Sequence, residues 1–453
     1  MSVYINRPLN LKKIKAIGLD LDYTLVRYNH ALFEKKTFDL SKTALVTAMG
    51  YPEDVLKFPF KFDQVIPGLV VDKKRGNLLK LSLFAKVKTA YHGTTLLTFD
   101  QQQSIYQDLV IDLNSPDIMS LDTNFSLSVG TLISYLVDLK DAKPNLKIPS
   151  YDVIAENVKH AVDLVHMDGS LKEHVLANLK EYVIEDPNVV LWLQRVKEDG
   201  KKILVITNSD YFYANAVLTH SITPYLAQGQ HWSDLIDIFV SNSNKPQFFT
   251  GKNRFLKILP EKEGLLENYF GKIVSGMYQG GNAQQLQQDL GVRGSEILYL
   301  GDHIFGDVVT LKKSCNWRTA LVVEQLAQEV EILKKVAPIQ EAIDILMEKK
   351  ETLEKKLNTY FIDRSLGKEL VEKIFQDIDK INKEISGLIE KYNKSFNPNW
   401  GEMMRAGQEE SRFAGQVEKY ACIYMPKVSD LVEYSPRMYF RPYKRVLPHE
   451  RLI

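Results

Sequence analysis

Five continuous apolar runs stand out along the chain, each separated from the next by helix-like segments or by a longer excursion. Such runs are typical of parallel strands that are buried on both faces, because helices cover each side of the sheet. The pattern therefore predicts an α/β fold with a doubly wound parallel sheet. With their polar ends, the runs occupy residues 14–22, 201–210, 235–245, 296–307 and 318–326.

Polar side chains end four of the five runs. In open α/β sheets, ligands bind in the crevice outside the carboxyl ends of the strands. The strand ends should therefore converge on one site. That site would gather Asp20, Asp22, Thr207, Asn208, Lys245, Asp302 and Asp307.

A long insertion separates the first run from the second, since nearly 180 residues lie between them. Within it, residues 68–84 have the pattern of a β-hairpin with its turn near Gly76. Helical patterns cover residues 126–139 and 153–184. We predict a discontinuous catalytic core, residues 1–45 and 185–335, with a cap domain inserted at residues 46–184.

The pattern changes after about residue 335, where apolar residues follow steps of three and four between many Lys and Glu residues. This spacing predicts an amphipathic helix with a narrow seam, preceded by an antiparallel partner helix. We predict a helical hairpin and a C-terminal segment over residues 336–453, packed on the core or on another subunit. The seam consists of Leu370, Ile374, Ile378, Ile381, Ile385, Leu388 and Tyr392.

Composition argues against several classes of protein. Hydrophobic residues make up 45% and charged residues 25% of the chain, and the net charge is +1. These values are ordinary for a soluble globular protein and give no reason to expect a nucleic-acid partner or an acidic membrane surface. No apolar run approaches the length that crosses a bilayer. The two cysteines, Cys315 and Cys422, stand far apart, which favours a reducing compartment, and we expect a cytoplasmic protein.

The polar strand ends have the chemistry of a phosphoryl-transfer site. A carboxylate can attack phosphorus and a second one can act as general acid and base, but two bare carboxylates repel each other. Mg²⁺ prefers oxygen ligands and would relieve that repulsion. Taken singly, each residue has an ordinary explanation as a helix cap or a solvated surface residue. Their combination favours catalysis, with Thr207, Asn208 and Lys245 suited to phosphate oxygens.

The set resembles the four motifs of haloacid-dehalogenase-type phosphohydrolases, here "DLDYT", Thr207, Lys245 and "GDHIFGD". The resemblance implies that Asp20 is the nucleophile and forms an aspartyl-phosphate, with Asp22 as general acid and base. It implies a Mg²⁺ site made of Asp20, Asp302 and the carbonyl of Asp22. The remaining catalytic residues would be Thr207 and Lys245, which hold the phosphoryl group, and Asp307, which supports Lys245.

A closer resemblance covers nearly the whole chain. The phrases "DYTL", "TNSDY", "GDHIFGD" and the late "VLPHE" are similar to those of the cytosolic purine 5′-nucleotidases, which are IMP/GMP-preferring enzymes of the same superfamily. This resemblance implies hydrolysis of 6-oxopurine nucleoside monophosphates and their deoxy forms to nucleoside and phosphate. It also implies transfer of the phosphoryl group to a nucleoside in place of water.

The stretch "VKHAVDLVHMDGSLK" suggests how a base would be recognised, because Lys159, Asp163 and His166 share one helix face. An aspartate carboxylate only accepts hydrogen bonds, so it suits the N1–H of hypoxanthine or guanine and rejects the bare N1 of adenine. An exposed ion pair is the ordinary alternative for Lys159 and Asp163. The resemblance adds three residues to the substrate-binding set, Phe125 as a stacking ring, Lys172 and Ser209.

The resemblance also implies a nucleotide effector site near Phe305 and Lys313, although the segment around Asp112 lacks the basic residue that the family carries. It further implies a homo-oligomer, a dimer or a tetramer. Two other functions stay open at this point. One is a phosphatase for another small phosphate ester, and the other is a non-enzymatic scaffold that uses the C-terminal helices.

Overall fold

The computed structural model describes residues 2–123, 126–363, 367–444, 446–447 and 449–450. The strands, in chain order, are β1 (Tyr4–Ile5), β2 (Leu9–Asn10), β3 (Ala16–Leu19), β4 (Arg27–Tyr28), β5 (Leu69–Asp72), β6 (Asn77–Leu81), β7 (Val87–His92), β8 (Thr95–Leu96), β9 (Ile118–Leu121), β10 (Val183–Ile184), β11 (Lys202–Ile206), β12 (Ile238–Ser241), β13 (Phe255–Leu259), β14 (Leu265–Asn268), β15 (Gly276–Gly280), β16 (Ile297–Gly301), β17 (Arg318–Val322), β18 (Arg405–Ala406), β19 (Glu409–Glu410), β20 (Ile423–Met425) and β21 (Tyr439–Phe440).

The α-helices are α1 (His30–Thr47), α2 (Phe99–Tyr106), α3 (Ser126–Ala142), α4 (Tyr151–Met167), α5 (Ser170–Ala177), α6 (Leu179–Tyr182), α7 (Pro187–Glu198), α8 (Tyr211–Ser221), α9 (Trp232–Leu235), α10 (Gln247–Thr250), α11 (Ala283–Leu290), α12 (Thr310–Ser314), α13 (Leu326–Asp363), α14 (Lys368–Lys394) and α15 (Arg412–Tyr420). A π-helical turn covers Ile304–Val309. The 3₁₀ turns are Leu11–Lys13, Glu53–Lys57, Thr223–Tyr225, Pro260–Lys262, Gly294–Glu296 and Val428–Glu433.

A ten-stranded sheet forms the centre of the molecule, in the order β1-β20-β17-β16-β3-β11-β12-β15-β13-β14. The strands from β20 to β15 are parallel to their neighbours, and antiparallel strands close both edges. The five predicted runs form β3, β11, β12, β16 and β17, which are neighbours in the middle of the sheet. The predicted α/β fold class, with a doubly wound parallel sheet, is confirmed.

Both faces of this sheet are buried, as the continuous apolar runs predicted. In β11, Ile203 and Val205 pack in one hydrophobic cluster, while Leu204 and Ile206 pack in another. Successive side chains of a strand point to opposite faces, so the two clusters lie on opposite sides of the sheet. The strand ends are thereby left as the accessible part of the sheet.

A second, antiparallel sheet lies within the predicted cap, in the order β8-β7-β6-β5-β9. Its centre is the predicted hairpin, in which Val70 faces Leu79. The long helical pattern predicted over 153–184 is divided into α4, α5 and α6, and Gly169, with φ of 88°, ends the first of them. The predicted cap boundaries stay a prediction, and α1 has Phe38 and Leu45 in the same hydrophobic cluster as α3 and α4.

The C-terminal region begins with the predicted helical hairpin, formed by α13 and α14. Ile343 packs with Ile385, and Leu357 packs with Ile374, so the two helices run antiparallel along the predicted seam. The chain then returns to the core, where β20 adds a parallel strand next to β17. Within the described ranges, no helix has both the length and the apolar character that a membrane span requires.

Candidate active site

Four neighbouring strands bring the predicted chemistry to one edge of the central sheet. Asp302 follows β16, Asp20 follows β3 and Thr207 follows β11, while Lys245 lies shortly after β12. Because these strands are parallel and adjacent, their carboxyl ends meet. The predicted convergence of polar strand ends is therefore present in the structure.

Lys245 is the centre of the site. Its Nζ lies 2.8 Å from Oδ1 of Asp20 and 2.9 Å from Oδ1 of Asp307, and its side chain is only 5% exposed. Nζ also donates to the hydroxyl of Tyr299 at 3.1 Å, and that hydroxyl donates to the carbonyl of Ile206 at 3.1 Å. The ammonium is thus held between residues of β3 and β16 and their loops, and the Tyr299 hydroxyl links it to β11.

Asp22 has different partners from Asp20, although only one residue separates them. The hydroxyl of Tyr28 donates to Oδ1 of Asp22 at 2.6 Å, and the hydroxyl of Ser209 donates to Oδ2 at 2.8 Å. Tyr213 lies behind Tyr28, with 3.0 Å between the two hydroxyl oxygens. The two aspartates therefore have separate environments within one strand end.

The loops after β11 and β12 are tied together through Asn208. Its Oδ1 accepts from the backbone N–H of Lys245 at 2.6 Å, and its Nδ2 donates to the carbonyl of Lys245 at 3.1 Å. The hydroxyl of Thr207 accepts from the backbone N–H of Ser209 at 3.0 Å. The Asn208 side chain is therefore occupied in positioning Lys245, and its predicted contact with phosphate stays a prediction.

Three carboxylates cluster tightly enough to hold a cation. One oxygen each of Asp20, Asp302 and Asp307 lies within 4.8 Å of the others. With Lys245 as the ammonium among them, full ionisation would leave two excess negative charges in a buried place. Hard oxygen donors with that excess fit Mg²⁺. The Asp22 carboxylate accepts from the Tyr28 hydroxyl and is not part of this cluster, and the Asp22 carbonyl as a metal ligand stays a prediction.

The pKa values reflect this crowding. Burial raises the pKa of Asp20 to about 6, with Lys245 opposing the shift and Asp307 adding to it. Burial, followed by the charges of Asp20 and Asp307, raises the pKa of Asp302 well above its usual value. Burial alone would lower the pKa of Lys245, but the same two carboxylates raise it well above its usual value. Burial also raises the pKa of Asp22, against the hydrogen bond from Tyr28.

Two glycines make the close packing of the site possible. Tyr299 faces Gly18 across neighbouring strands, and a Cβ at Gly18 would lie 2.7 Å from the Tyr299 ring. A Cβ at Gly301 would lie 2.4 Å from the Asp307 side chain. Any larger residue at either position would displace a group that contacts Lys245.

The predicted base-binding residues differ in exposure and in the contacts that they make. Lys159 and Asp163 are exposed on α4. His166, at the end of α4, stacks on Phe33 with ring centroids 6.4 Å apart, and burial lowers its pKa to about 4. Lys172, on α5, has its Nζ 2.7 Å from Oδ2 of Asp210, which adjoins the Thr207 loop. Phe125 lies outside the described residues.

The predicted effector residues lie in the two elements that follow Asp302 in the chain. Phe305, in the π-helical turn, is 50% exposed. Lys313, on α12, has its Nζ 5.7 Å from the centre of the Tyr420 ring. An effector at these residues stays a prediction.

Sequence reasoning missed the three tyrosines of the site. Tyr28, Tyr213 and Tyr299 are buried and supply hydroxyl groups to Asp22 and Lys245. The signal for Tyr299 was a polar atom inside the apolar run of β16. Tyr28 and Tyr213 carry no local signal, because 185 positions separate these two partners in the chain.

Comparison with known proteins decides the family. The model of the 5′ nucleotidase family matches residues 3–452. This chain belongs to the 5′ nucleotidase family. Membership confirms the predicted recognition and supports hydrolysis of nucleotide phosphate monoesters as the general activity of the protein.

Two curated relatives match over almost the full chain. A 5′-nucleotidase domain-containing protein of Dictyostelium discoideum is 27% identical over 459 residues, covering 99% of this chain and 74% of the relative. The 5′-nucleotidase domain-containing protein 2 of Rattus norvegicus is 25% identical over 473 residues, covering 99% and 80%.

The similar solved structures include an archaeal β-phosphoglucomutase from a Pyrococcus strain, with 12% identity and a TM-score of 0.29, covering 68% of this chain and 86% of that one. They also include a HAD phosphatase from Thermococcus onnurineus, with 12% identity and a TM-score of 0.28, covering 69% and 87%. Overlap at this level adds no argument, and the fold class rests on the strand order itself.

Proposed function

We propose that this protein is a Mg²⁺-dependent 5′-nucleotidase that hydrolyses IMP, GMP and their deoxy forms to nucleoside and phosphate. The observation that carries the proposal is the difference between Asp20 and Asp22. Asp20 faces the ammonium of Lys245 at 2.8 Å, whereas Asp22 accepts hydrogen bonds from the hydroxyls of Tyr28 and Ser209. The first has the surroundings of a nucleophile and the second those of a proton carrier.

In the first step Asp20 attacks phosphorus. Its Oδ1 already accepts from the backbone N–H of Leu21 at 2.7 Å and contacts Lys245, so we assign the attack to Oδ2. A bond forms between Oδ2 and phosphorus while the bond from phosphorus to the 5′-oxygen breaks. Asp22 donates its proton to that leaving oxygen, which releases the nucleoside.

In the second step water attacks the aspartyl-phosphate. Asp22 takes up a proton from the water, the bond between phosphorus and Asp20 breaks, and phosphate leaves. The hydroxyl group of a nucleoside can take the place of water, which accounts for phosphotransfer. Asp20 and Asp22 return to their starting protonation states in either case.

The charge on the transferring group is balanced from several sides. Lys245 supplies a fixed positive charge next to Asp20, and Thr207, Asn208 and Ser209 offer N–H and O–H donors at the end of β11. When bound at Asp20, Asp302 and the Asp22 carbonyl, Mg²⁺ supplies further positive charge for the phosphoryl oxygens. Asp307 keeps Lys245 in place through the 2.9 Å contact.

Recognition of the base is assigned to the cap. Asp163 accepts the N1–H of hypoxanthine or guanine, Lys159 donates to the 6-oxo group, and His166 lines the slot beside them. Phe125 supplies the stacking ring, and Lys172 lies near the phosphate. Asp163 lies at the surface, where partial desolvation by its neighbours raises its pKa and the charge of Lys159 lowers it.

The test is phosphate release from IMP, GMP, AMP and glucose 6-phosphate, with Mg²⁺ and with excess chelator. The proteins are the wild type, D20N and the control D39N, since Asp39 is a partly exposed aspartate of α1 that pairs with Lys35 and Lys42. We expect fast release from IMP and GMP that needs Mg²⁺. D20N should lower it by at least about 1,000-fold and D39N should leave it unchanged.

Other outcomes would select the alternatives. Fast release from glucose 6-phosphate, again lost in D20N, would keep the catalytic residues and replace the proposed substrate with another phosphate ester. The absence of Mg²⁺-dependent release from any ester would favour a scaffold that uses α13 and α14. A homo-oligomer and a nucleotide effector near Phe305 and Lys313 belong to the proposal and are checked by light scattering and by activation with added nucleotides.

A further inference from the structure

Three parts of the chain meet where α15 begins. Ser411, which caps α15, forms a bridge with Ser82 at the end of the cap hairpin, and the backbone N–H of Leu83 donates to the carbonyl of Glu410 at 2.8 Å. Phe413 packs in one hydrophobic cluster with Ile304 from the turn that follows Asp302. The start of α15 therefore contacts both the cap sheet and the loop of the predicted metal site.

Arg412 forms a buried ion pair at this junction. Its Nη1 lies 3.4 Å from Oδ1 of Asp122, and both residues are 7% exposed. Asp122 directly follows β9, an edge strand of the cap sheet. The pair thus joins the C-terminal segment to the part of the cap that leads into α3.

The pair also lies close to the catalytic loop. Phe413, the residue after Arg412, packs in one hydrophobic cluster with Ile304 and Val308 of the π-helical turn that follows Asp302. The backbone N–H of His303 donates to Oδ2 of Asp307 at 3.3 Å, and its Nδ1 accepts from the N–H of Gly306 at 3.3 Å. Through Arg412 and its neighbour Phe413, Asp122 is therefore linked to the loop that supports Lys245.

A buried ion pair is a poor source of stability, because the loss of hydration offsets the attraction between the charges. Such a pair is better explained by the geometry that it imposes. A second pair, Lys88 with Glu409 at 2.7 Å, joins the same two parts of the chain, but its side chains are 35% and 41% exposed. Lys88 provides a matched control, since its pair joins the same two parts of the chain but is far more exposed than that of Arg412.

We propose that Arg412 is a positioning residue for nucleotide hydrolysis. By pairing with Asp122, it fixes the end of β9 against the Asp302–Asp307 loop, so that the cap holds the nucleoside at the distance that Asp20 requires. This inference rests on the proposed nucleotidase function. A small ester such as p-nitrophenyl phosphate needs no nucleoside contacts and so does not depend on the pair.

The test compares kcat and KM for IMP and for p-nitrophenyl phosphate, together with Tm, in the wild type, R412K, R412M, D122N, D122N/R412M and the control K88M. R412M and D122N should lower kcat/KM for IMP by about 10- to 100-fold and change that for p-nitrophenyl phosphate by less than about threefold. R412K keeps the ion pair and should retain most of the IMP activity. K88M should resemble the wild type.

The double variant separates positioning from stability. D122N/R412M leaves no buried charge unpaired, so its Tm should return toward that of the wild type while its IMP activity stays low. Recovery of the IMP activity together with Tm, or an equal loss for both esters in R412M, would overturn the proposal. A wild type that hydrolyses p-nitrophenyl phosphate but not IMP would instead overturn the nucleotidase function on which the proposal rests.

Discussion

The catalytic edge of the sheet and the exposed face of α4 both combine a lysine with aspartates, and their surroundings differ in every other respect. Lys245 is buried, with carboxylates at 2.8 and 2.9 Å and a tyrosine hydroxyl at 3.1 Å. Lys159 and Asp163 are exposed, and within the described residues neither forms an ion pair.

This difference shows that residue type and spacing do not determine how strongly a charged group interacts with its neighbours. In water, opposite charges 4 Å apart attract by about 1 kcal/mol, and the attraction grows several-fold where protein replaces the water. Lys245 is held by partners from different strands, whereas Lys159 and Asp163 can act strongly only when a ligand covers them. Four substitutions test that contrast, and they follow from the largest expected effect to the smallest.

The largest effect is expected for K245M. Removing the ammonium leaves Asp20 and Asp307 without their shared countercharge and the phosphoryl group without a fixed positive neighbour. Phosphate release from IMP should fall by about 100- to 1,000-fold. Unfolding in urea should show a loss of about 3 kcal/mol, because an uncompensated buried charge is costly. If K245M retained wild-type activity or stability, the interactions of buried Lys245 would be no stronger than those of exposed Lys159 and Asp163.

Glu34 allows the effect of burial to be measured without an ion pair, because it is fully buried and no cation among the described residues pairs with it. Its Oε2 accepts from the backbone N–H of Ser128 at 3.0 Å and from the Ser128 hydroxyl at 2.7 Å. Burial raises its pKa from 4.5 to about 7, against these hydrogen bonds. The folded state therefore favours the protonated form, and this contribution to stability is complete below pH 4.5 and is lost as the pH rises through about 7.

E34Q cannot titrate and should remove this pH dependence. The stability of the wild type relative to E34Q should fall by roughly 3 kcal/mol between about pH 4.5 and about pH 8. Urea unfolding of both proteins at several pH values measures the change. E156Q, at an exposed residue of α4 that pairs with Lys73, is the control and should follow the wild type. A constant difference between wild type and E34Q would contradict the raised pKa.

D163A tests whether the exposed residues Lys159 and Asp163 interact strongly once a bound nucleotide covers them. Without the carboxylate, the N1–H of hypoxanthine loses its acceptor, so the ratio of kcat/KM for IMP to that for AMP should fall about 10-fold. Hydrolysis of p-nitrophenyl phosphate should not change. E156A, on the same helix, is the matched control. An unchanged ratio in D163A would remove α4 from base recognition and leave the catalytic residues unaffected.

The smallest effect is expected for K159M in the ligand-free protein. An exposed lysine without an ion-pair partner contributes little, so the free energy of unfolding should change by less than about 0.5 kcal/mol. Urea unfolding beside K245M makes the comparison direct, since both variants replace lysine by methionine. If K159M lost as much free energy of unfolding as K245M, exposure would not explain the energetic difference between Lys159 and Lys245.

Much of the fold could be predicted because its signals are local. The runs that form β3, β11, β12, β16 and β17 are apolar on both faces, and the α13–α14 seam repeats in steps of three and four. In contrast, β15 and β20 were missed. The first begins and ends with glycine and the second has only three residues, so their place in the sheet depends on strands far away in the chain.

The candidate site follows the same division. Asp20, Thr207, Lys245 and Asp302 could be proposed together because each follows an apolar run and parallel strands end on one edge. The predicted use of Asn208 for phosphate could not be judged from its position, and the structure shows its side chain bonded to the Lys245 backbone. No local pattern in the sequence predicts that Arg412 pairs with Asp122, because 290 positions separate them.

The sequence by itself determined the five central strands, the C-terminal helical hairpin and the residue types at the strand ends, because hydrophobic periodicity and turn chemistry act between near neighbours in the chain. Only the tertiary structure decided which carboxylate faces Lys245, which one accepts from Tyr28, and which charges lose their water. The physical reason is that burial and electrostatic strength depend on distances between segments that the chain brings together from hundreds of positions apart.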